Sequence, residues 1–417
     1  MYQTDLVATL RGRGASVETD ARAGALGVAP NVWKLGFTSL FTDVSSEMVS
    51  SILPLYFVLH LGFSPFQFGV LDGVYQGAAV ALFSLSAGVL ADRRRWHKQV
   101  ATGGYALSAL CKLGLLLIGN SWAFIVGILA LDRLGKAVRT APRDALISLS
   151  SRPQYLATAF ALHRALDTGG AVLGPLVAFL LLRAVPDGYS LVLIVSFFVA
   201  LIGLGVIGLL VEKPEINVTE RVAVSENSLY QLWNQQNFRR VALAGGVLAL
   251  TTVSDSFIYL LLQKNTGCAM TALPIFAFVT AAVYMSLSLP FGRLADAVGR
   301  RKVFLLGYGL AFCVYLILFL PGLGKVVQFA SLILLGAYYA ATDGVLAALA
   351  SAALPSELRT SGLAAVNTVV GLCKLCSSVI FGLLWTLGSV STPVLVFAAA
   401  ISAAMAFSAA TLRTKTA

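Results

Sequence analysis

Apolar residues run along this chain in blocks of helix length, separated by short polar or charged loops. A helix that crosses a bilayer needs roughly 20 predominantly apolar residues. By that measure the pattern predicts twelve spans with short loops. They lie near residues 34–60, 66–91, 99–119, 121–141, 156–183, 189–211, 240–263, 271–295, 303–321, 326–350, 362–386 and 392–411.

One long polar stretch interrupts this pattern, between the sixth and seventh spans. It divides the chain into two sets of six helices and predicts an inter-domain linker. The expected organisation is an N-terminal tail, a first six-helix half, a linker and a second six-helix half, at residues 1–33, 34–211, 212–238 and 239–417.

Composition supports a membrane protein and fixes an expected orientation. Of 417 residues 58% are hydrophobic and only 12% are charged, with a mean hydropathy of +0.84. The net charge of +11 does not indicate nucleic-acid binding, because no soluble basic domain is present.

Lysine and arginine concentrate in the loops on one side, which predicts that this side is cytoplasmic. Both termini and the linker are therefore expected in the cytoplasm, with the chain in the cell (inner) membrane.

A charged loop occurs twice, once in each half. Gly88 to Lys98, with Asp92 and Arg93, returns about 204 positions later as Gly292 to Lys302. The repeat indicates a duplicated bundle. Two halves that rock about a central site satisfy the geometric requirement for alternating access, so transport is the leading hypothesis.

Charged residues within the spans are candidates for function, because an unpaired charge at the bilayer centre costs about 2.5–3.5 kcal/mol on insertion scales. In the first span, Asp43 and Glu47 lie four residues apart on one helical face. Their repulsion favours a proton on one of them, as a proton-coupled carrier requires. The alternative is that each acid neutralises a nearby base, for example on the fourth span.

The fourth and fifth spans carry further charges. Asp132 and Lys136 are spaced to pair along one helix, as are Arg164 and Asp167. Arg133 points elsewhere, and Asp43 or Glu47 is its expected partner.

The second half has fewer embedded charges, and Asp255 and Asp343 are its candidate acids. Lys112 and Lys374 are also embedded, without an assigned partner. The Cys373 to Cys376 spacing is interpreted as packing within a helix. There is no phosphate-binding loop or metalloprotease pair, so neither enzyme activity, a cofactor nor a metal is expected. An ion or substrate gradient must drive transport.

These features resemble the major facilitator superfamily over the whole chain. Its loop motif matches Gly292, Asp296, Gly299, Arg300 and Arg301, whereas the first copy keeps Gly88, Asp92 and Arg93 but has Arg95-Trp96 in place of a glycine and a base. Residues 170–178, with Gly170, Gly174 and Pro175, are similar to the antiporter motif of its drug-efflux members. The resemblance implies an all-α membrane fold of twelve helices in two pseudo-symmetric halves, functional as a monomer.

The leading expectation is therefore proton-coupled efflux of a small, partly apolar compound. Its alternative is an uptake or exchange permease for a polar or anionic metabolite, which Arg133, Lys136 and Lys112 would suit. A transport-inactive sensor or scaffold is a third hypothesis. Small-molecule substrate, protons and lipid are the expected partners.

Overall fold

The computed structural model describes residues 28–75, 96–117, 121–151, 156–212, 233–320, 322–354 and 359–412. All regular elements in these ranges are helical, which confirms the all-α prediction. The helices are α1 (Pro30–Pro54, continued by a π-helical segment, Leu55–His60), α2 (Pro65–Gly73), α3 (His97–Leu117), α4 (Trp122–Leu149), α5 (Leu156–Ala184), α6 (Tyr189–Gly205, continued by Val206–Leu210), α7a (Gln236–Leu250), α7b (Asp255–Thr266), α8 (Leu273–Val298), α9 (Arg300–Phe319), α10 (Lys325–Ala352), α11 (Arg359–Leu387) and α12 (Ser391–Thr411).

Most of these helices are suited to a bilayer. In the described ranges nine helical segments are long and apolar enough to cross it, with α7a and α7b together forming one of them. The described helix ends lie close to the predicted positions. The predicted end of the second span, at 91, is outside the described residues, and the number twelve stays a prediction. One boundary was misplaced: α4 was expected to end at 141 but continues through Pro142 to Leu149. Proline is tolerated within membrane helices where neighbouring groups satisfy the freed backbone.

The seventh span is broken in the middle, which hydropathy did not reveal. Residues 251–254 leave the helix between α7a and α7b, and neighbouring side chains satisfy their backbone groups. The Tyr315 hydroxyl accepts from the Val253 amide at 2.8 Å and donates to the Thr251 carbonyl at 3.2 Å. Ser377 donates to the Thr252 carbonyl. Irregular backbone at membrane depth is stable under these conditions, and such breaks accompany binding sites in transporters.

Successive helices run in opposite directions, so the bundle has two ends. We call the end where α1 begins and α12 ends the tail face, and the opposite end, where α2 begins and α11 ends, the far face. At the far face α2 of the first half lies directly against α11 of the second. A Cβ atom added to Gly69 would lie 2.5 Å from the Ser378 carbonyl oxygen, so only glycine permits this approach.

Aromatic packing and a polar contact close the far face between the halves. Phe68 of α2 meets Phe257 of α7b edge to face, with ring centroids 5.3 Å apart, and Phe257 continues to Phe381 of α11 at 4.8 Å. Beside these rings, Ser378 donates a 2.7 Å hydrogen bond to the buried carboxylate of Asp72. Sequence reasoning did not select Asp72, although a single acid in an apolar span was the signal that could have done so.

The bundle opens toward the tail face. Along the part of α8 nearest that face, residues 288–290 and 293–299 are exposed except Ala295. Arg164 of α5 and Asp343 of α10 are also accessible and lie within electrostatic range of one another. Accessible side chains that approach one another from opposite halves indicate the walls of a cleft, which here lies between the two halves.

Candidate functional site: two charge clusters and a cleft

The first cluster of embedded charges is inside the N-terminal half. Asp132 of α4 binds the guanidinium of Arg133 and lies 3.7 Å from the Lys112 ammonium of α3. Arg133 in turn stacks on the ring of Tyr75, with its Cζ 3.7 Å from the ring centroid. Lys112, Asp132 and Arg133 are 3%, 7% and 6% exposed, so this cluster is shielded from the cleft. Two expectations were therefore wrong: Asp132 pairs with Lys112 and Arg133 rather than with Lys136, and Arg133 has Asp132 as its ion-pair partner.

Glu47 lies near this cluster and forms no direct ion pair with any residue that the structure describes. Its carboxylate accepts a 2.6 Å hydrogen bond from Ser50, one turn along α1. Arg133 and Tyr75 are within electrostatic range of it, and so is Tyr259 of α7b in the opposite half. Glu47 thus stands between the first cluster and the second half.

The second cluster lies where α1, α4 and α5 meet, nearer the tail face. Asp43 of α1 is 3.8 Å from Arg139 of α4, and its carboxyl group also faces that of Asp167 of α5. Asp167 is 3.8 Å from Arg143, and Lys136 is within electrostatic range of Asp43. Asp167 is therefore paired with Arg143 rather than with Arg164, and the carboxyl group that meets Asp43 comes from a different helix.

Buried polar contacts extend the second cluster. Arg143 binds Asp144 at 2.9 Å, and also donates to Ser39 at 3.4 Å. The Ser39 hydroxyl bonds the Nε2 atom of buried His163 at 2.8 Å. Sequence reasoning omitted Ser39 and Asp144, because their relevance comes only from contacts between helices.

The glycines of the motif in α5 bring that helix against the acids of α1. A Cβ atom at Gly170 would lie 2.5 Å from the Leu40 carbonyl oxygen and 3.1 Å from the Asp43 Cβ. At Gly174 it would lie 2.7 Å from the Glu47 Cβ. Pro175 follows within the same helix. These contacts place the motif beside both acids of the first span.

In the second half, the broken seventh span borders a small cavity. Its lining residues are Thr252, Val253, Ser254, Tyr339 and Lys374. Tyr339 donates a hydrogen bond to Asp255, and the Lys374 ammonium lies 5.9 Å from the centroid of the Tyr339 ring. The embedded lysine that lacked a partner in the sequence thus stands beside an aromatic ring, within electrostatic range of Asp255 and Asp343.

The repeated loop is described only in its second copy. Asp296 and Arg300 form a 3.2 Å pair that is 70% and 41% exposed, and Arg300 also reaches the Ala348 carbonyl at 3.4 Å. Gly299 has φ +109°, a conformation that favours glycine, between α8 and α9. No Cβ clash would arise at Gly292. Gly88, Asp92 and Arg93 lie outside the described residues.

Within the described part of the chain, no group of three or more histidine, cysteine or acidic side chains is placed to hold a metal ion. Cys373 and Cys376 are free thiols.

Comparison with known proteins identifies the family. The model of the Major Facilitator Superfamily matches residues 35–375. The chain belongs to the major facilitator superfamily. An MFS-type transporter of Methanocaldococcus jannaschii, itself uncharacterized, is 32% identical over 371 residues, which cover 86% of this chain and 89% of the relative. An uncharacterized protein of Mycobacterium tuberculosis is 34% identical over 175 residues, 41% of this chain and 42% of that protein.

Solved structures share the fold at low sequence identity. The nucleoside transporter NupG superimposes with a TM-score of 0.75 at 15% identity, over 93% of this chain and all of that one. A mutant of the peptide transporter POT in complex with sulfate has a TM-score of 0.77 at 13% identity, over 94% of this chain and 95% of the other. Membership of the superfamily makes the protein a multi-pass membrane transporter of a small molecule.

Proposed function

We propose that this transporter couples solute movement to protons, with the carboxyl groups of Asp43 and Asp167 as the proton-binding pair. The observation that carries the proposal is their contact between α1 and α5, with Arg139 and Arg143 each 3.8 Å from one member. Two adjacent buried carboxyl groups do not both ionise readily, whereas a nearby arginine favours ionisation. A change in the separation of the arginines from the pair would therefore bind or release a proton.

The surrounding packing supports this role. Gly170 holds α5 against α1 beside Asp43, so a tilt of one helix alters the geometry of the pair. Asp167 is only half-buried on the side of the open cleft, which gives a proton a route to water.

The motif containing these glycines favours export as the direction of transport, with a small, partly apolar compound as the solute. Uptake or exchange of a polar metabolite is the second candidate, supported by the charged side chains on the cleft walls.

Proteoliposomes with an imposed pH gradient test the coupling. Candidate solutes are added to protein-loaded vesicles while a trapped dye reports lumenal pH. Solute-dependent proton movement is expected in the wild type and is expected to be lost in Asp43→Asn and Asp167→Asn. Asp187→Asn is a matched control, since Asp187 lies in a turn at φ 59°, which asparagine also accepts. Wild-type proton movement in both site variants would place the coupling elsewhere, and Glu47, Asp255 and Asp343 would follow.

We also propose that the tail face is cytoplasmic, in the cell membrane, with a monomer as the functional unit. The bias of basic residues toward the loops of that face supports this orientation. A single cysteine in the 212–238 linker, in a variant lacking the five native cysteines, should react with an impermeant thiol reagent only from the cytoplasmic side. Labelling of intact cells would reverse the orientation.

A further inference from the structure

Three charged side chains around the cleft have no direct partner among the described residues. Arg164, Asp343 and Lys374 make no side-chain hydrogen bond and no ion pair within 4.0 Å among the described residues. Every acid of the two clusters, by contrast, contacts a base or a hydroxyl group. Charges left unpaired at membrane depth mark substrate or ion pathways more often than structure.

These three groups come from both halves of the bundle. Arg164 is on α5 of the first half, whereas Asp343 and Lys374 are on α10 and α11 of the second. Asp343 is within electrostatic range of both Lys374 and Arg164. Tyr284 of α8 is within range of Asp343 and Arg164 as well, and its ring packs against Tyr339 with centroids 6.3 Å apart. An aromatic wall therefore adjoins the two opposed charges.

Arg164 and Asp343 bring opposite charges to the cleft from its two walls. Of the groups within electrostatic range of one another on the second half, Asp255 and Asp343 are acids and Lys374 is a base. On the first half Arg164 is the base within electrostatic range of Asp343, while Arg143 binds Asp167. A positive group of one half thus stands opposite a negative group of the other.

We propose that the substrate is a small zwitterion with a carboxylate and an ammonium group, of the amino-acid type, with its carboxylate on Arg164 and its ammonium on Asp343. The ring of Tyr284 would lie along its side chain. This inference rests on the proposed use of the cleft for solute but not on proton coupling. A compound with one charge would satisfy one wall and leave the opposite charge unpaired, so it binds more weakly.

The placement also links binding to conformational change. Arg164 and Asp343 belong to opposite halves, so a solute that binds both draws the halves together at the open tail face. A ligand shifts a conformational equilibrium only through its different affinity for the two states. The zwitterion gains its second contact only when the halves approach, which supplies that difference.

Thermal unfolding of the purified full-length protein in detergent tests the charge requirement. The ligands are the twenty natural L-amino acids and a matched phenyl series: L-phenylalanine, 3-phenylpropionate, which has only the carboxylate, and phenethylamine, which has only the ammonium. At least one amino acid is expected to raise the Tm, and each single-charge compound is expected to raise it less than L-phenylalanine. Arg164→Gln and Asp343→Asn should each weaken binding by roughly 30-fold or more, as expected when a charge partner is removed.

Matched controls separate the site from general effects of charge. Arg183→Gln removes an exposed arginine at the opposite end of α5, and Asp187→Asn removes an exposed acid. Both should bind as the wild type. If 3-phenylpropionate stabilises as well as L-phenylalanine and Asp343→Asn has no effect, the site takes anions and the inference is wrong. The inference is also wrong if phenethylamine stabilises as well as L-phenylalanine and Arg164→Gln has no effect, because the site then takes cations. It is overturned as well if none of the twenty amino acids raises the Tm.

Failure of the coupling proposal remains distinguishable from failure of this inference. Asp43→Asn and Asp167→Asn should still bind the zwitterion if the two sites are separate. Retained binding with unchanged proton movement would reject only the coupling pair, whereas loss of binding in those variants would contradict the placement of the substrate at Arg164 and Asp343.

Discussion

The charges inside the N-terminal half and those on the cleft walls all lie within long helices but in different chemical situations. Lys112, Asp132 and Arg133 are buried and bonded to one another. Arg164 and Asp343 are accessible and have no direct partner in the described chain. The difference separates two uses of an embedded charge. A paired group stabilises helix packing and is held by its counter-charge, whereas an unpaired group on a cleft remains available to bind a ligand.

The largest effect is expected on removal of Asp132, the acid that Lys112 and Arg133 share. Asp132→Ala leaves Lys112 and Arg133 buried without their counter-charge, which costs about 3–5 kcal/mol. Against a total stability of roughly 5–15 kcal/mol, the yield of folded protein should fall sharply. Asp343→Asn should leave it unchanged. Size-exclusion profiles of fluorescent fusions and the Tm measure both. Removal of a second charge in Asp132→Ala/Lys112→Met should restore part of the yield, and an unaltered Asp132→Ala protein would show that the cluster is not structural.

The contact of α5 with α1 should be the next most sensitive feature. Gly174→Ala places a Cβ atom 2.7 Å from the Glu47 Cβ, so the helices must separate. Overpacking of this kind costs roughly 1–3 kcal/mol. Gly127→Ala on α4 is the control, since no atom lies within 4 Å of its added Cβ. The Tm of Gly174→Ala should drop while that of the control does not. Equal Tm values would mean that α1 and α5 adjust without strain.

Closure of the far face depends on polar bonds between α2 and α11 in addition to aromatic packing. Ser378→Ala removes the 2.7 Å hydrogen bond to Asp72, and loss of a partner for a buried carboxylate costs about 1–3 kcal/mol. The population open at the far face should grow accordingly. Spin labels at the exposed positions Val185 and Leu387 would report longer distances between the halves. Ser402→Ala is the control, because Ser402 bonds within its own helix. An unchanged distance distribution in Ser378→Ala would assign closure to the aromatic rings and the other contacts between α2 and α11.

The smallest effect is expected at the exposed loop of the second half. The Asp296–Arg300 pair is 70% and 41% exposed, and exposed pairs contribute about 0–1 kcal/mol. Asp296→Asn should therefore leave the Tm almost unchanged and should reduce transport less than Asp92→Asn in the first copy. If Asp296→Asn lowered the Tm as much as Asp132→Ala, buried and exposed charges would not differ in their contribution to stability, and the comparison would be wrong.

Sequence alone determined the class of the protein and most of its helix limits. Each span needs a minimum run of apolar residues whatever its neighbours are, so hydropathy located α5, α8 and α12 within a few residues. The repeated loop indicated two halves, because its residues can be recognised from the chain alone, whatever their neighbours in space are. The choice of Asp43, Asp132, Asp255 and Asp343 as embedded acids also followed from their surroundings in the chain.

Only the tertiary structure decided which charges meet. Spacing along one helix suggested Asp132 with Lys136 and Arg164 with Asp167, yet the contacts formed are with Lys112 of α3 and Arg143 of α4. The break at residues 251–254 was hidden as well, because Tyr315 and Ser377, distant in sequence, satisfy its backbone groups. Helical periodicity gives the direction of a side chain relative to its own axis. The partner depends on how neighbouring helices rotate and approach, and that is set by packing over the whole bundle.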